Sequence, residues 1–344
     1  MTLSQAVLPI AVSVGCPCGI GPEISILAAR DLAALGMRLI LVGDHQVLQR
    51  AAALHRVSID DFPCIAQPAA IGACSAPICI HCPTAPLDNN DCRPGFPSQA
   101  GGRAQLAWVD AATDLVVAGV ASAIVTGPVS KDAIARSGAP GAASFRGHTE
   151  HIAARVGATG PVMIFVAEDM AVALVTTHLP LARVAEAISV EGVVRSTLRC
   201  AEIVARLGKK PARIVVAALN PHAGEHRLLG TEDDDIIAPA VEQARAALKA
   251  QGMDARIDGP TPAEAAFRIA FDGGYDGVVA MYHDQGTIPR KVRYFGKAVN
   301  VTAGLPIVRT SVDHGTAYDI AGTGKAEASS MVEAMKLAGR LAKR

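Results

Sequence analysis

Three histidines pose the first chemical question. His178 follows the apolar run ending Val175-Thr176-Thr177, His222 follows Leu219-Asn220-Pro221, and His283 follows the run Val278 to Met281. Each stands where a strand pattern gives way to a turn: His178-Leu179-Pro180, Pro221-His222-Ala223-Gly224 and His283-Asp284-Gln285-Gly286. In an α/β sheet, ligands collect beyond the carboxyl ends of the strands. Three imidazoles that leave a fourth position open are the donor set of a catalytic divalent metal. Such donors suit zinc, cobalt or nickel better than magnesium. One histidine in such a place is more often a structural residue, so the recurrence at three strand ends carries the argument. An ion held there lowers the pKa of an adjacent hydroxyl and stabilises the oxygen charge that develops.

The 45 residues from Met281 to Lys325 concentrate further chemistry. After His283 and Asp284 come Lys291, Arg293, Asn300 and Arg309, then the glycine-punctuated loop Asp313-His314-Gly315-Thr316. Lys291 and Arg309 are cations suited to a phosphate or carboxylate. Arg293 reads as solvated surface charge, whereas Arg309 stands in a stretch otherwise without charge between Leu305 and Val312. Lys291 and Asp284 are the candidate catalytic groups. Ser144-Phe145-Arg146-Gly147-His148-Thr149-Glu150 gathers Arg, His and hydroxyl groups in few residues and reads as a binding loop. Two strand-to-helix joints leave alternatives open. Gly15 to Glu23 is either a close approach for a phosphate or a tight turn without a ligand, and it is not the dinucleotide fingerprint. Thr126 to Lys131 is either an anion site or a capped helix with an exposed lysine.

These residues need a scaffold, and the apolar pattern describes one. Strand-length runs occur at Leu8 to Val14, Leu39 to Val42, Ala123 to Thr126, Val162 to Val166, Val172 to Thr177, Arg213 to Leu219, Gly277 to Met281 and Ala298 to Thr302. Helical spacing occupies Glu23 to Leu35, Ala104 to Gly119, Val184 to Leu207, Asp235 to Gln251, Ala263 to Phe271 and Ala326 to Leu341. Alternation of this kind predicts an α/β fold with a largely parallel sheet, covered on both faces because the strands are continuously apolar. Asp60 to Gly102 breaks the rhythm and reads as a loop and short-strand excursion.

The totals narrow the function. A chain of 344 residues predicts two domains. Lys plus Arg equals Asp plus Glu at 32 each, a balance that speaks against a general nucleic-acid or anionic-membrane binder. No apolar run reaches the roughly 20 residues of a membrane span. The opening MTLSQAVLPIAVSVG has no basic residue ahead of its apolar part and reads as a first strand rather than a signal peptide. A soluble cytoplasmic protein with reduced cysteines is expected. Cys74, Cys79, Cys82 and Cys92, with His81 among them, have neither paired nor finger-like zinc spacing and read as incidental thiols.

Six ordered motifs together resemble the 4-hydroxythreonine-4-phosphate dehydrogenase family over nearly the whole chain. They are GIGPE at 19–23, GHTE at 147–150, TTHLPL at 176–181, NPHAGE at 220–225, MYHDQG at 281–286 and RTSVDHGTA at 309–317. The resemblance implies that His178, His222 and His283 carry one divalent metal (Zn, Co, Mg or Mn), with His283 supplied by the second subunit of a homodimer. It implies that His148, Thr149, Lys291, Asn300 and Arg309 bind a phosphorylated hydroxy acid. The loop from His314 is also similar to the adenosine loop of isocitrate and isopropylmalate dehydrogenases, which implies NAD along His314, Gly315, Thr316 and Asp319. The implied architecture is two α/β domains, 1–140 with 312–344 and 141–311, and an active-site cleft between them. The implied reaction is oxidation of a 4-phosphorylated 3-hydroxy acid by NAD followed by loss of CO2. The chain departs from the family pattern in two places: Cys16 and Cys18 stand in a G-D-P-A-G segment, and Pro262-Ala263-Glu264-Ala265 replaces P-A-D-T. The paralogous oxidation of 4-phospho-D-threonate or 4-phospho-D-erythronate therefore stands beside vitamin B6 synthesis, and phosphate acetyltransferases share a similar scaffold.

Overall fold

The computed structural model describes residues 8–168, 170–294 and 296–343; residues 1–7 of the opening segment lie outside the described residues. The strands, in chain order, are β1 Ile10–Ser13, β2 Leu39–Val42, β3 Ile78–His81, β4 Ala123–Thr126, β5 Val162–Ala167, β6 Met170–Leu174, β7 Ala212–Ala217, β8 Ala255–Thr261, β9 Gly277–Ala280, β10 Val299–Ala303 and β11 Arg309–Ser311. The chain divides into two compact units, Met1–Thr159 with Leu305–Arg344, and Gly160–Gly304. Residues 141–159 and 305–311, grouped by the sequence with the second domain, pack within the first unit and take His148, Thr149 and Arg309 with them.

The first unit orders its strands β3-β2-β1-β4-β11, every pairing parallel. Its central strands are fully buried and apolar except for Ser13 and Thr126 at their carboxyl ends, as a parallel sheet covered on both faces requires. Trp108, in the helix Gln99–Val117, is fully buried and donates its indole N–H to Thr84 Oγ1 at 3.1 Å. The second unit orders its strands β10-β5-β6-β9-β7-β8. β10, β5 and β6 pair antiparallel, and β6, β9, β7 and β8 pair parallel. Phe165, Val172, Leu174, Val215, Phe267 and Val278 form its core. The α/β class and the mostly parallel pairing agree with the pattern in the sequence.

Three departures have local causes. Val184 to Leu207 is two helices, Val184–Ala187 and Val190–Arg206, because Ser189 is extended and caps the second by accepting from Gly192 N at 3.2 Å. The helix His45–Leu54 escaped notice; Asp44 caps it from Val47 N at 2.9 Å and also accepts from Leu87 N. The turn expected after His283 is instead a helix, His283–Tyr294, with Pro289 inside it. Gly286 serves close packing there: a Cβ would stand 2.6 Å from Leu174 Cδ2 and 3.1 Å from Ala280 Cβ.

Candidate active site

In the second unit the parallel neighbours β6, β9 and β7 end on the same edge, with Leu174 opposite Ala280 and Val216 opposite Val279. His178, His283 and His222 follow these three ends. The edge is tied together at each step. Thr176 Oγ1 donates to the Met281 carbonyl at 2.7 Å. Gln285 accepts from Met281 N and donates to the Ala218 carbonyl, both at 2.7 Å, and so links the ends of β9 and β7. The rings of His178 and His283 lie 5.6 Å apart between centroids within one chain. The resemblance assigned His283 to another subunit's site, whereas here its ring lies beside His178 of the same chain. His283 Nδ1 donates to Asp284 Oδ1 at 2.6 Å.

His222 is held differently. From His222 to Arg227 every residue has positive φ, between 43° and 80°, a left-handed turn that includes five non-glycine residues. Such backbone costs on the order of 1 kcal/mol per residue and persists only where its surroundings enforce it. The fastener is Asp233, 1% exposed, whose carboxylate accepts from Leu219 N at 2.8 Å and Asn220 N at 3.0 Å. Asn220 Nδ2 adds a bond to Glu232 at 2.8 Å. Sequence reasoning missed Asp233; an acidic residue a dozen positions on gave no local signal.

The histidines satisfy part of the requirement for a metal. Two imidazoles stand together, yet among the described residues no group of three His, Cys, Asp or Glu side chains could hold an ion. Lys291 is exposed on the helix His283–Tyr294, and Arg293 is exposed as expected. Asn300 lies on β10, its Oδ1 buried and without a hydrogen-bond partner among the described residues.

The first unit assembles a separate group around Arg309. This residue opens β11, is 3% exposed, and donates to Thr126 Oγ1 at 2.7 Å and Thr149 Oγ1 at 3.4 Å. Burial pulls its pKa down to about 10, and Glu150 acts weakly against that. His148 and Thr149 begin the helix His148–Arg155, whose N-cap Gly147 makes no side-chain cap bond, and a helix N-terminus is where backbone N–H groups and the helix dipole favour an anion. Burial, and then the charges of Arg309, His151 and Lys131, hold the His148 imidazole well below its ordinary pKa. Its Nε2 is buried without a hydrogen-bond partner among the described residues. Lys131 does follow a capped helix start, with Ser130 accepting from Ala133 N at 3.2 Å, and is exposed. Its ammonium nonetheless reaches Gly147, where a Cβ would stand 3.5 Å from Nζ. Arg146 is exposed. Two cations, a neutral imidazole, a hydroxyl and an uncapped helix start suit a phosphate.

The loop with His314, Gly315, Thr316 and Asp319 rests on the glycine joint after β1. Ile20 N donates to the Thr316 carbonyl at 3.0 Å, and a Cβ at Gly19 would come within 2.7 Å of that same oxygen. Glu23, 4% exposed, accepts from Gly322 N at 2.8 Å and from His55 Nε2 at 2.8 Å. Cys16 faces Tyr318 Oη at 3.4 Å. The hydrogen bond with Cys18 lowers its thiol to about 7, against the effect of burial.

Histidines at the carboxyl ends of parallel strands, and a buried arginine beside a helix start, are arranged as in α/β enzymes that act on small molecules. Comparison with known proteins narrows the class. The model of the family described as "Pyridoxal phosphate biosynthetic protein PdxA" matches residues 36–338, and the chain belongs to that family. The 4-hydroxythreonine-4-phosphate dehydrogenase of Acidithiobacillus ferrooxidans is 43% identical over 342 residues, covering 96% of each chain. The crystal structure of 4-hydroxythreonine-4-phosphate dehydrogenase from Klebsiella pneumoniae matches with a TM-score of 0.84 at 37% identity, over 99% of this chain and 100% of that one. A terephthalate 1,2-cis-dihydrodioldehydrogenase from Burkholderia xenovorans LB400 matches with a TM-score of 0.67 at 28% identity, over 97% and 98%. The chain is accordingly an oxidoreductase. No helix among the described residues is long and apolar enough to cross a membrane.

Proposed function

We propose that this protein oxidises and decarboxylates 4-hydroxythreonine 4-phosphate, using NAD and one divalent metal, in the synthesis of pyridoxal phosphate. The observation that carries the reading is the buried Arg309 beside His148 and Thr149 at an uncapped helix start, a phosphate cradle in a chain of this family. Arg309 and Lys131 supply charge, the helix N–H groups supply direction, and the neutral His148 supplies a bond without repelling the two cations. Asn300 orients the hydroxy acid, Lys291 and Asp284 carry the proton transfers, and the loop of His314, Gly315, Thr316 and Asp319 receives the adenosine end of NAD. A divalent metal held there would supply polarisation of the reacting oxygen, and NAD would supply the hydride acceptor. His178 and His283 form part of the metal site, and in our reading the set of three imidazoles is completed only when a second copy is present.

A homodimer fits the distribution of exposed apolar side chains. Leu179, Leu181, Leu228, Leu229, Ile288 and Val292 are all exposed in the second unit, Val292 at 84%. Side chains of this kind near the histidines suit an interface that also shields the site. A second reading, oxidation of 4-phospho-D-threonate or 4-phospho-D-erythronate, is favoured by Glu264. It lines a cleft with Arg268, Tyr282, Asp284 and Gln285, at a position where the resembled family carries a shorter acid followed by a hydroxyl residue.

The deciding experiment measures bound metal and NADH formation for the wild type and His222→Ala, with 4-hydroxythreonine 4-phosphate and 4-phospho-D-threonate offered in parallel. Turnover of the first substrate, with metal and activity both lost in the variant, is the expected result. Faster turnover of the second moves the protein to the sugar-acid reading. Undiminished turnover by metal-free protein overturns the metal-dependent mechanism.

A further inference from the structure

Outside the groups described above, the sulfur atoms of Cys64 and Cys82 are placed to react with one another. Their Sγ atoms are 3.4 Å apart, close to van der Waals contact, and a disulfide needs them to close to about 2.05 Å. Backbone pairing holds them there. Cys64 bridges Ile80 in parallel register, Ile80 N donates to the Pro63 carbonyl at 2.9 Å, and Ile65 N donates to the Ile80 carbonyl at 2.8 Å. His81 Nδ1 donates to the Ile65 carbonyl at 2.8 Å, which pins the residue immediately before Cys82. Cys82 itself is the first residue beyond β3, so the closing movement falls on a position without ladder hydrogen bonds of its own strand.

Access and proximity together distinguish the two partners. Cys64 is the exposed thiol; Cys82 and Cys74 are partly exposed, and Cys82 is the one in contact with Cys64, whereas Cys16, Cys18, Cys79, Cys92 and Cys200 are buried. Burial, reinforced by the hydrogen bond with Cys64, pushes the Cys82 thiol up to about 12. Cys64 is thus the sulfur an oxidant meets first, and Cys82 is a protonated neighbour waiting beside it.

We propose that Cys64 and Cys82 form a peroxide-reactive dithiol, in which Cys64 is oxidised first and Cys82 resolves it to an intrachain disulfide. The Cys64 thiolate attacks one oxygen of hydrogen peroxide, the O–O bond breaks, and sulfenic acid and one water result once the leaving oxygen is protonated. The Cys82 sulfur then attacks the Cys64 sulfur; the S–O bond breaks, and the departing hydroxide takes the Cys82 proton to leave as a second water. Two thiols lose two electrons in total, and the peroxide accepts them. Thiol reductants reverse the bond. The disulfide anchors the segment after the helix His45–Leu54 to the edge strand β3.

The test treats the purified full-length protein with hydrogen peroxide, then blocks residual thiols and maps the peptides by mass spectrometry. The expected product has six of its eight cysteines still blockable, and a peptide pair joined through Cys64 and Cys82 with the loss of two hydrogens. It forms about tenfold faster than oxidation at the buried cysteines, and it raises the thermal midpoint on the order of 5 °C until dithiothreitol is added. Cys64→Ser abolishes the cross-link. Cys82→Ser leaves Cys64 as a sulfenic acid that dimedone traps, a readout that requires no disulfide and shows that Cys64 leads. A cross-link from Cys64 to Cys74, a sulfenic acid that persists at Cys64 in the wild type, or equal rates at exposed and buried cysteines would each overturn the proposal.

Discussion

Replacing Arg309 by methionine should remove phosphate binding while leaving the fold intact, and the structure supplies both magnitudes. A guanidinium held at about 10, against an ordinary value of about 12.5 or higher, costs on the order of 3 kcal/mol to keep charged in its buried place. Below pH 10 both folded and unfolded forms carry the proton, so this cost is present in full at neutral pH. Between 10 and the ordinary value the unfolded form binds more protons than the folded one. Stability therefore gains from rising pH there, and the penalty is relieved. Methionine removes the penalty and with it the bond to Thr126, a charge-assisted contact worth about 1.5–3 kcal/mol, and the longer, weaker one to Thr149 at 3.4 Å. The two nearly cancel, so the unfolding free energy of Arg309→Met should stay within about 2 kcal/mol of the wild type. Binding has no such compensation. Two charge-assisted bonds to a phosphate amount to at least about 3 kcal/mol, or roughly a hundredfold in affinity. Arg309→Lys keeps the charge without the planar fork and should fall between the two. Titration calorimetry with inorganic phosphate, beside urea unfolding at pH 7.5 or thereabouts, checks both halves. Unchanged phosphate affinity would refute the cradle, and a loss of stability beyond about 4 kcal/mol would make Arg309 a structural strut instead.

The remaining predictions concern the groups that position the site. His148 is held neutral well below its ordinary pKa, so as pH falls below about 6.5 the unfolded chain takes up a proton that the folded chain refuses, and stability drops; His148→Gln should flatten that part of a stability-versus-pH curve measured by thermal melts. Asp233→Ala strips the acceptor from Leu219 N and Asn220 N and should cost about 2–3 kcal/mol, read as a lower urea midpoint with faster amide exchange at both positions. Asp233→Asn, which keeps one acceptor oxygen, should recover part of the loss; equal behaviour of the two variants would mean that the carboxylate does not fasten the turn.

Much of this protein was legible in the order of its residues. The apolar runs LILV, AIVT and GVVA are buried strands because nothing else accommodates four consecutive apolar or β-branched residues between helices so well, and they made the α/β class plain. Histidines directly after strand runs had to fall on one edge once those strands paired in parallel, as β6, β9 and β7 do. The strands without a signal of their own were RTS with its buried arginine and ARIDGPT, whose Gly and Pro an edge strand tolerates, while ICIH falls inside the excursion where short strands were expected without bounds. Periodicity identifies a strand by the face it buries; RTS buries polar side chains and ARIDGPT is only partly buried, so neither announces itself.

Proximity was left for tertiary structure to decide. That Arg309 meets Thr126, 183 residues away along the chain, depends on β11 pairing with β4. That Asp233 fastens the turn of His222, or that Glu23 holds Gly322 across 299 positions, depends on chain paths that no local window contains. Residue type states which bonds a side chain is able to make, and periodicity states which face it shows. The partner it meets, and the shift in its pKa that follows, are properties of the space that folding encloses.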